Sequence, residues 1–206
     1  YLTDGKPDVI VNLIDASNIE RNLYLTTQLA EMGIPMVAAL NMIDVVRRQG
    51  GTIDAAALSD ALGFPVVETS AIKGEGIPAL MEAAKRASGG AQPPAIRFPD
   101  VVEDALSQIG ALVSDVVDGR QLRWFSVKLF ERDEKVLARF HFSGTVQQQL
   151  EGIISAVETA LDDDAESIIT DARYAYIAGV VKKCVTKSRS GMPASDKIAR
   201  IVTNRI

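Results

Sequence analysis

The stretch Met36-Val-Ala-Ala-Leu-Asn41-Met-Ile-Asp44 constrains the fold more than any other part of the chain. An unbroken apolar run without polar alternation describes a strand covered on both faces, the condition of a parallel sheet inside an α/β domain. Such sheets hold their ligands beyond the carboxyl ends of the strands, where Asn41 and Asp44 stand here. A second run, Phe64-Pro-Val-Val67, leads into Ser70-Ala-Ile-Lys-Gly-Glu-Gly76 one helical crossover later. A third, Val9-Ile-Val-Asn-Leu-Ile14, precedes both and ends in Asp15-Ala-Ser-Asn18, short polar side chains that suit a strand end and a helix cap.

The residue types at these strand ends fit a guanine base. Guanine presents an N1–H and an exocyclic amino group side by side, and an ionised Asp44 accepts both as a fork. Adenine has no such donor pair and would leave a desolvated carboxylate unpaired. Asn41 is expected to donate to N7 and to tie the loop, with Met42 and Ile43 completing the Asn-x-x-Asp stretch. Backbone N–H groups of Ser70, Ala71 and Ile72 are expected to meet O6, with Gly74 and Gly76 freeing the loop that follows. Alone, Asn-x-x-Asp is an ordinary Asx-turn or capping pattern. Its meaning here comes from order: each motif follows a strand, and one crossover separates them.

Composition removes several other functions. A net charge of −5 gives no nucleic-acid footprint. A single cysteine, Cys184, excludes an internal disulfide framework and a multi-cysteine metal site, and suits a reducing compartment. A single histidine, His141 between Phe140 and Phe142, argues against a histidine metal centre or triad. No run reaches the ~18–20 apolar residues of a membrane span. Asp162-Asp-Asp164 reads as an exposed acidic turn in preference to a cation site, because adjacent carboxylates on a helix cannot converge on one ion.

Strand and helix alternate through the first ninety residues or so. Helices are expected over 20–31, stopped by Gly33 and Pro35, over 45–51, over 53–62 with Asp54 in the first turn, and over 77–87. Ser88-Gly-Gly-Ala-Gln-Pro-Pro94 reads as a linker. Beyond it, helices are expected over 101–117, 121–130, 146–161, 165–186 and 196–206, with no strand, and the aromatic group around Trp124 belongs to their core. The expected fold class is therefore α/β, a partial P-loop-NTPase-like parallel sheet with flanking helices over 1–90, followed by an all-α bundle over 91–206. Charge in the second half is segregated: acidic from Glu151 to Asp171, then nearly all basic from Arg173, which by itself reads as a solvated helix face.

Three stretches together resemble the cytoplasmic amino-terminal region of FeoB, the bacterial ferrous-iron transport family. They are Val11-Asn-Leu-Ile-Asp-Ala-Ser-Asn-Ile-Glu-Arg-Asn-Leu-Tyr-Leu25, Ala39-Leu-Asn-Met-Ile-Asp44, and the region from Asp171-Ala-Arg-Tyr174 to Asp196-Lys-Ile-Ala-Arg-Ile-Val-Thr-Asn-Arg205. The resemblance implies a small GTPase domain, a helical module likened to a GDP-dissociation inhibitor, and Ile206 standing just before a first membrane span. That would place the chain on the cytoplasmic face of the bacterial inner membrane and make its basic end juxtamembrane. It also implies GTP and GDP as ligands with Mg²⁺, regulation of Fe(II) uptake by GTP hydrolysis, and its own transmembrane domain as partner. Small accessory Feo proteins and further copies of the chain complete the implied partners, with no nucleic acid among them.

Two departures from the GTPase pattern stand out. The usual Asn-Lys-x-Asp is Asn41-Met-Ile-Asp44 here, so a cationic brace beside the base is missing, and GDP release is expected to be fast. Neither a G-x-x-x-x-G-K-[ST] nor a D-x-x-G is read in the chain, so phosphate, Mg²⁺ and catalytic residues are expected upstream of Tyr1 and the chain is expected to be inactive alone. Two other readings stay open: a nucleotide-sensing or adaptor module without hydrolysis, and an unrelated doubly wound domain with Asp15 as its functional acid.

Overall fold

The computed structural model describes residues 2–5, 7–90 and 96–186. After a short helix α1 (Leu2–Gly5), strand β1 (Ile10–Asp15) leads through a 3-10 turn over Ala16–Asn18 into α2 (Ile19–Ala30). Strand β2 (Met36–Asn41), α3 (Ile43–Arg48), β3 (Thr52–Ile53), α4 (Ala55–Leu62), β4 (Val66–Glu68) and α5 (Ile77–Ala87) complete the first half. Strands β1, β2 and β4 form a parallel sheet in that order, with Asp15 beside Asn41 and Leu40 beside Glu68. The uninterrupted apolar run at β2 has its expected cause: every residue from Met36 to Leu40 is buried, because helices cover both faces. Met36, Ala38 and Leu40 pack with Ile14, Leu23 and Leu58 on one side, while Val37 and Ala39 meet Leu80, Ala83 and Ala84 of α5 on the other.

The second half is helical: α6 (Asp100–Val113), α7 (Leu122–Phe130), α8 (Glu134–Arg139), α9 (Gly144–Leu161) and α10 (Ala165–Cys184). Their core gathers Val102, Ile109, Phe125, Phe130, Ile154 and Ile169, with Trp124 packed against it. The twenty-residue α10 serves both halves. Its first turns carry Ile168 and Ile169 into this core, and its last turns carry Ile177, Val180, Val181 and Cys184 into the core beneath the sheet. Each such side chain contributes roughly 1.5–3 kcal/mol on burial, so the carboxyl-terminal end of α10 is firmly seated against α2 and α4.

Several sequence expectations are corrected. Thr52 and Ile53 are a strand, β3, and pair antiparallel with β5 (Val185–Thr186), so the second half does supply a strand and α10 stops at Cys184. Two-residue strands are too short to show any periodicity. Asp54 lies outside the first turn of its helix: it is the cap, accepting from the Ala57 N–H at 2.9 Å. Helix α6 ends at Val113 and leaves Val117 buried in irregular chain. Helix α8 escaped notice because its six residues bury a single apolar side chain, Val136, although Asp133 caps it at two backbone N–H groups. The helix expected over 196–206 and the 91–94 part of the linker lie outside the described residues.

Candidate functional site

The polypeptide leaves β2 through Asn41 and turns at Met42, whose φ of 62° and ψ of 24° put a non-glycine residue in the left-handed region. That turn lets α3 start at Ile43, two residues earlier than the sequence suggests, and places Asp44 in its first helical turn. Ile43, 2% exposed, anchors this corner in the core and so fixes where Asp44 stands. An acidic side chain in a first turn is also favoured by the exposed amide ends of the helix.

The second loop is closed on itself. Ser70 N–H donates to the Glu75 carbonyl and Glu75 N–H returns to the Ser70 carbonyl, both at 3.1 Å. Gly76 completes the turn at φ +79°, and a Cβ there would stand 2.1 Å from the Glu68 carbonyl oxygen, so no other residue fits. Ser70 is buried, whereas Ile72 at its tip is 94% exposed.

The fold brings the two loops together. Asn41 Oδ1 accepts from the Ala71 N–H at 3.1 Å, and Asp44 Oδ1 accepts from the Ser70 hydroxyl at 3.2 Å. Asp44 Oδ2 faces Arg48 Nη2 at 3.3 Å and Lys73 Nζ at 4.0 Å, with 16% of the side chain exposed. The carboxylate is thus oriented by a hydroxyl and neutralised by two cations, with lone pairs remaining to accept a donor pair. Asn41 does tie the loops, and with its oxygen committed its amide nitrogen is the group left to donate. Of the backbone N–H groups expected to face a base oxygen, Ser70 N–H is taken within its loop and Ala71 N–H by Asn41, so an incoming acceptor has to displace Asn41 to reach Ala71. Sequence reasoning did not identify Arg48 or Lys73 as counter-ions. The i,i+4 spacing of Asp44 and Arg48 on one helix was the available signal, hidden by the later start assumed for α3.

Other singled-out residues have structural roles. Asp15 caps the turn after β1, accepting from Ser17 N–H at 2.8 Å, Ser17 Oγ at 2.7 Å and Asn18 Nδ2 at 2.9 Å. Slight burial pushes its carboxyl up, but the bonds from Asn18 and Ser17 outweigh this and hold it below the usual range, so it is ionised and fully used. Asp162 ends α9 in the left-handed region and Asp164 caps α10 at Ser167, so the acidic turn is a helix junction. Among the described residues no group of three or more His, Cys, Asp or Glu side chains is placed to share a metal ion. Contrary to the reading that the chain has no D-x-x-G, Asp60-Ala-Leu-Gly63 has that spacing, but it forms the end of α4, with Gly63 N–H on the Ser59 carbonyl as a helix stop. A groove of about 850 Å³ runs between α2 and α10, lined by Tyr24, Leu25, Tyr174 and Ile177, and it includes neither Asn41 and Asp44 nor the loop over Ser70.

Residues 1–84 match the family described as Ferrous iron transport protein B, and residues 98–186 match the FeoB cytosolic helical domain. The Fe(2+) transporter FeoB of Escherichia coli (strain K12) is 33% identical over 208 residues, and a Fe(2+) transport protein A/Fe(2+) transporter FeoB fusion protein of Porphyromonas gingivalis is 38% identical over 226. Each match takes in 100% of this chain and 26% of the relative, so the chain spans about a quarter of their length. A GDP-bound mutant of S. thermophilus NFeoB superposes with a TM-score of 0.87 at 41% identity, covering 90% of this chain and 72% of the other. The mGMPPNP-bound NFeoB of the same organism gives 0.85 at 41% identity, covering 94% and 73%.

Proposed function

This chain belongs to the FeoB family of ferrous iron transport proteins, and from that we propose that Asn41, Asp44 and the loop over Ser70, Ala71 and Ile72 read the base of a guanine nucleotide. The observation that carries the reading is the pair of hydrogen bonds between the loops, Ser70 to Asp44 and Ala71 to Asn41, which joins two strand-end motifs into one acceptor-rich corner. Asp44 takes N1–H and the amino group of guanine, while Asn41 orients the second loop and Met42 and Ile43 set the turn that aims Asp44. Similar solved structures hold GDP and mGMPPNP, which supports the ligand class.

The wider role follows from membership. Residues 1–90 belong to a GTP-hydrolysing domain and residues 91–206 to a helical module, on the cytoplasmic side of a ferrous-iron transporter in the bacterial inner membrane. Hydrolysis in the complete protein regulates Fe(II) uptake. No residue of this sequence is assigned to the phosphates or to Mg²⁺. Its partners are the nucleotide, the transmembrane part of the same protein, accessory Feo proteins and further copies. No helix of the described residues is long and apolar enough to cross a membrane.

The test is a titration of the protein at its natural length with GDP, ADP and xanthosine diphosphate, alongside Asp44→Asn. Preference for GDP, moved to the xanthosine nucleotide by the substitution, supports the assignment. Equal binding of all three, or an unaltered preference in the variant, rejects it.

A further inference from the structure

Arg173 is completely buried, and its guanidinium joins the two halves of the molecule. Nη2 and Nε fork onto Glu31 at 2.8 and 3.3 Å, and Nη1 donates to Glu131 at 2.7 Å. Glu31 follows the last turn of α2 in the sheet half, and Glu131 follows the last turn of α7 in the helical half. Glu131 is held in turn by Lys128 at 2.6 Å. Arg173 sits on α10 between the residues that enter the helical core and those that enter the sheet core, and its guanidinium lies 5.9 Å from the Tyr24 ring centre.

A buried pair of this kind is weak support for stability, since apolar residues of similar volume often stabilise as well or better. What it imposes is geometry, because moving either carboxylate strands a buried charge. Burial pushes the Glu31 carboxyl up against the pull of Arg173, and Glu131 adds to the push. A second contact at the same seam is independent of charge. Gly33, at φ +66°, lies against the loop between α6 and α7 so closely that a Cβ would stand 2.4 Å from the Arg120 carbonyl oxygen.

The other end of α2 is at the ligand crevice. Asp15, which caps the turn entering α2, is in register with Asn41. Twelve helical residues make a rod of about 18 Å from that crevice to Glu31. We propose that Arg173 is the positioning residue that couples occupancy of the base site to α7 of the helical half, through Glu31 on one side and Glu131 on the other. This rests on the base-site reading above.

Hydrogen exchange on the natural-length protein, with and without GDP, tests the coupling. The variants are Glu131→Gln, which keeps the Glu31–Arg173 fork, and the neutral triple Glu31→Gln/Glu131→Gln/Arg173→Met, which keeps the volume. The expected result is that GDP slows exchange at 41–44 and 69–73 in all three proteins, and slows α7 about fivefold in the parent only. Protection of the loops with an α7 response equal in parent and variants overturns the coupling and leaves the base site standing. So does loop protection in the parent without any α7 response. Absence of loop protection in the parent removes the base-site reading, and the coupling with it. A triple variant that fails to fold leaves Glu131→Gln to decide, since its loss of the α7 response supports the proposal and its retention overturns it.

Discussion

The Ser70 hydroxyl donates to Asp44 Oδ1 at 3.2 Å, so the loop after β4 orients the carboxylate at the start of α3. This bond is made before any ligand arrives and costs nothing to form on binding. Ser70→Ala should therefore weaken GDP binding by the value of one hydrogen bond to a charged group, about 1.5–3 kcal/mol, with the guanine preference retained. Isothermal titration against GDP and ADP measures both quantities, and an unchanged GDP affinity refutes the orienting role.

Met42 holds a left-handed conformation with its side chain 38% exposed at the edge of the site. A lysine there would place a cation beside the base and the phosphates, so Met42→Lys should slow GDP dissociation several-fold. Stopped-flow release of a fluorescent GDP analogue gives the rate, and an unchanged rate sinks the idea. Met42→Gly, by contrast, should stabilise the free protein, because the left-handed turn costs a side-chain-bearing residue about 1–2 kcal/mol.

Gly33→Ala tests the seam between the halves. The added methyl meets backbone at 2.4 Å and a positive φ, so relief requires moving the α6–α7 loop away from α2. The loss should exceed about 1 kcal/mol, read as a lower midpoint of thermal unfolding.

Arg132, itself at φ 54°, clamps both Glu151 and Glu158 of α9. Its hydrogen bonds hold both carboxyls below their ordinary value of 4.5. A carboxylate whose pKa is lower in the folded state stabilises the fold above its unfolded value and loses that contribution as pH falls through the folded value. Thermal stability should therefore fall on acidification below about pH 4.5, and less steeply in Arg132→Gln. Glu31, raised by burial, has the opposite sign, so the difference between parent and variant across the series is the informative quantity.

The parallel sheet was legible because its signals are local. An unbroken apolar run marks β2, Asp15 caps the turn that leads into α2, and Gly63 marks the end of α4. The strand-end placement of Asn41, Asp44 and Ser70 was legible too, because a strand end is a topological position that sequence order specifies. The position of α3 was less so. Its early start depends on the left-handed turn at Met42, which methionine does not announce.

By itself, then, the sequence determined the alternation of strands and helices, the two loops at the strand ends and the membership that follows from them. Tertiary structure decided the rest. It paired Thr52 with Thr186, far apart in the chain, and it drew Asp44 between Ser70, Arg48 and Lys73. It also took Arg173, which opens a run of basic residues and reads as a solvated helix face, and buried it between Glu31 and Glu131. Periodicity and capping are properties of neighbours along the chain. The environment of a charge depends on which distant carboxylates the packed helices bring to it, and no local pattern encodes that.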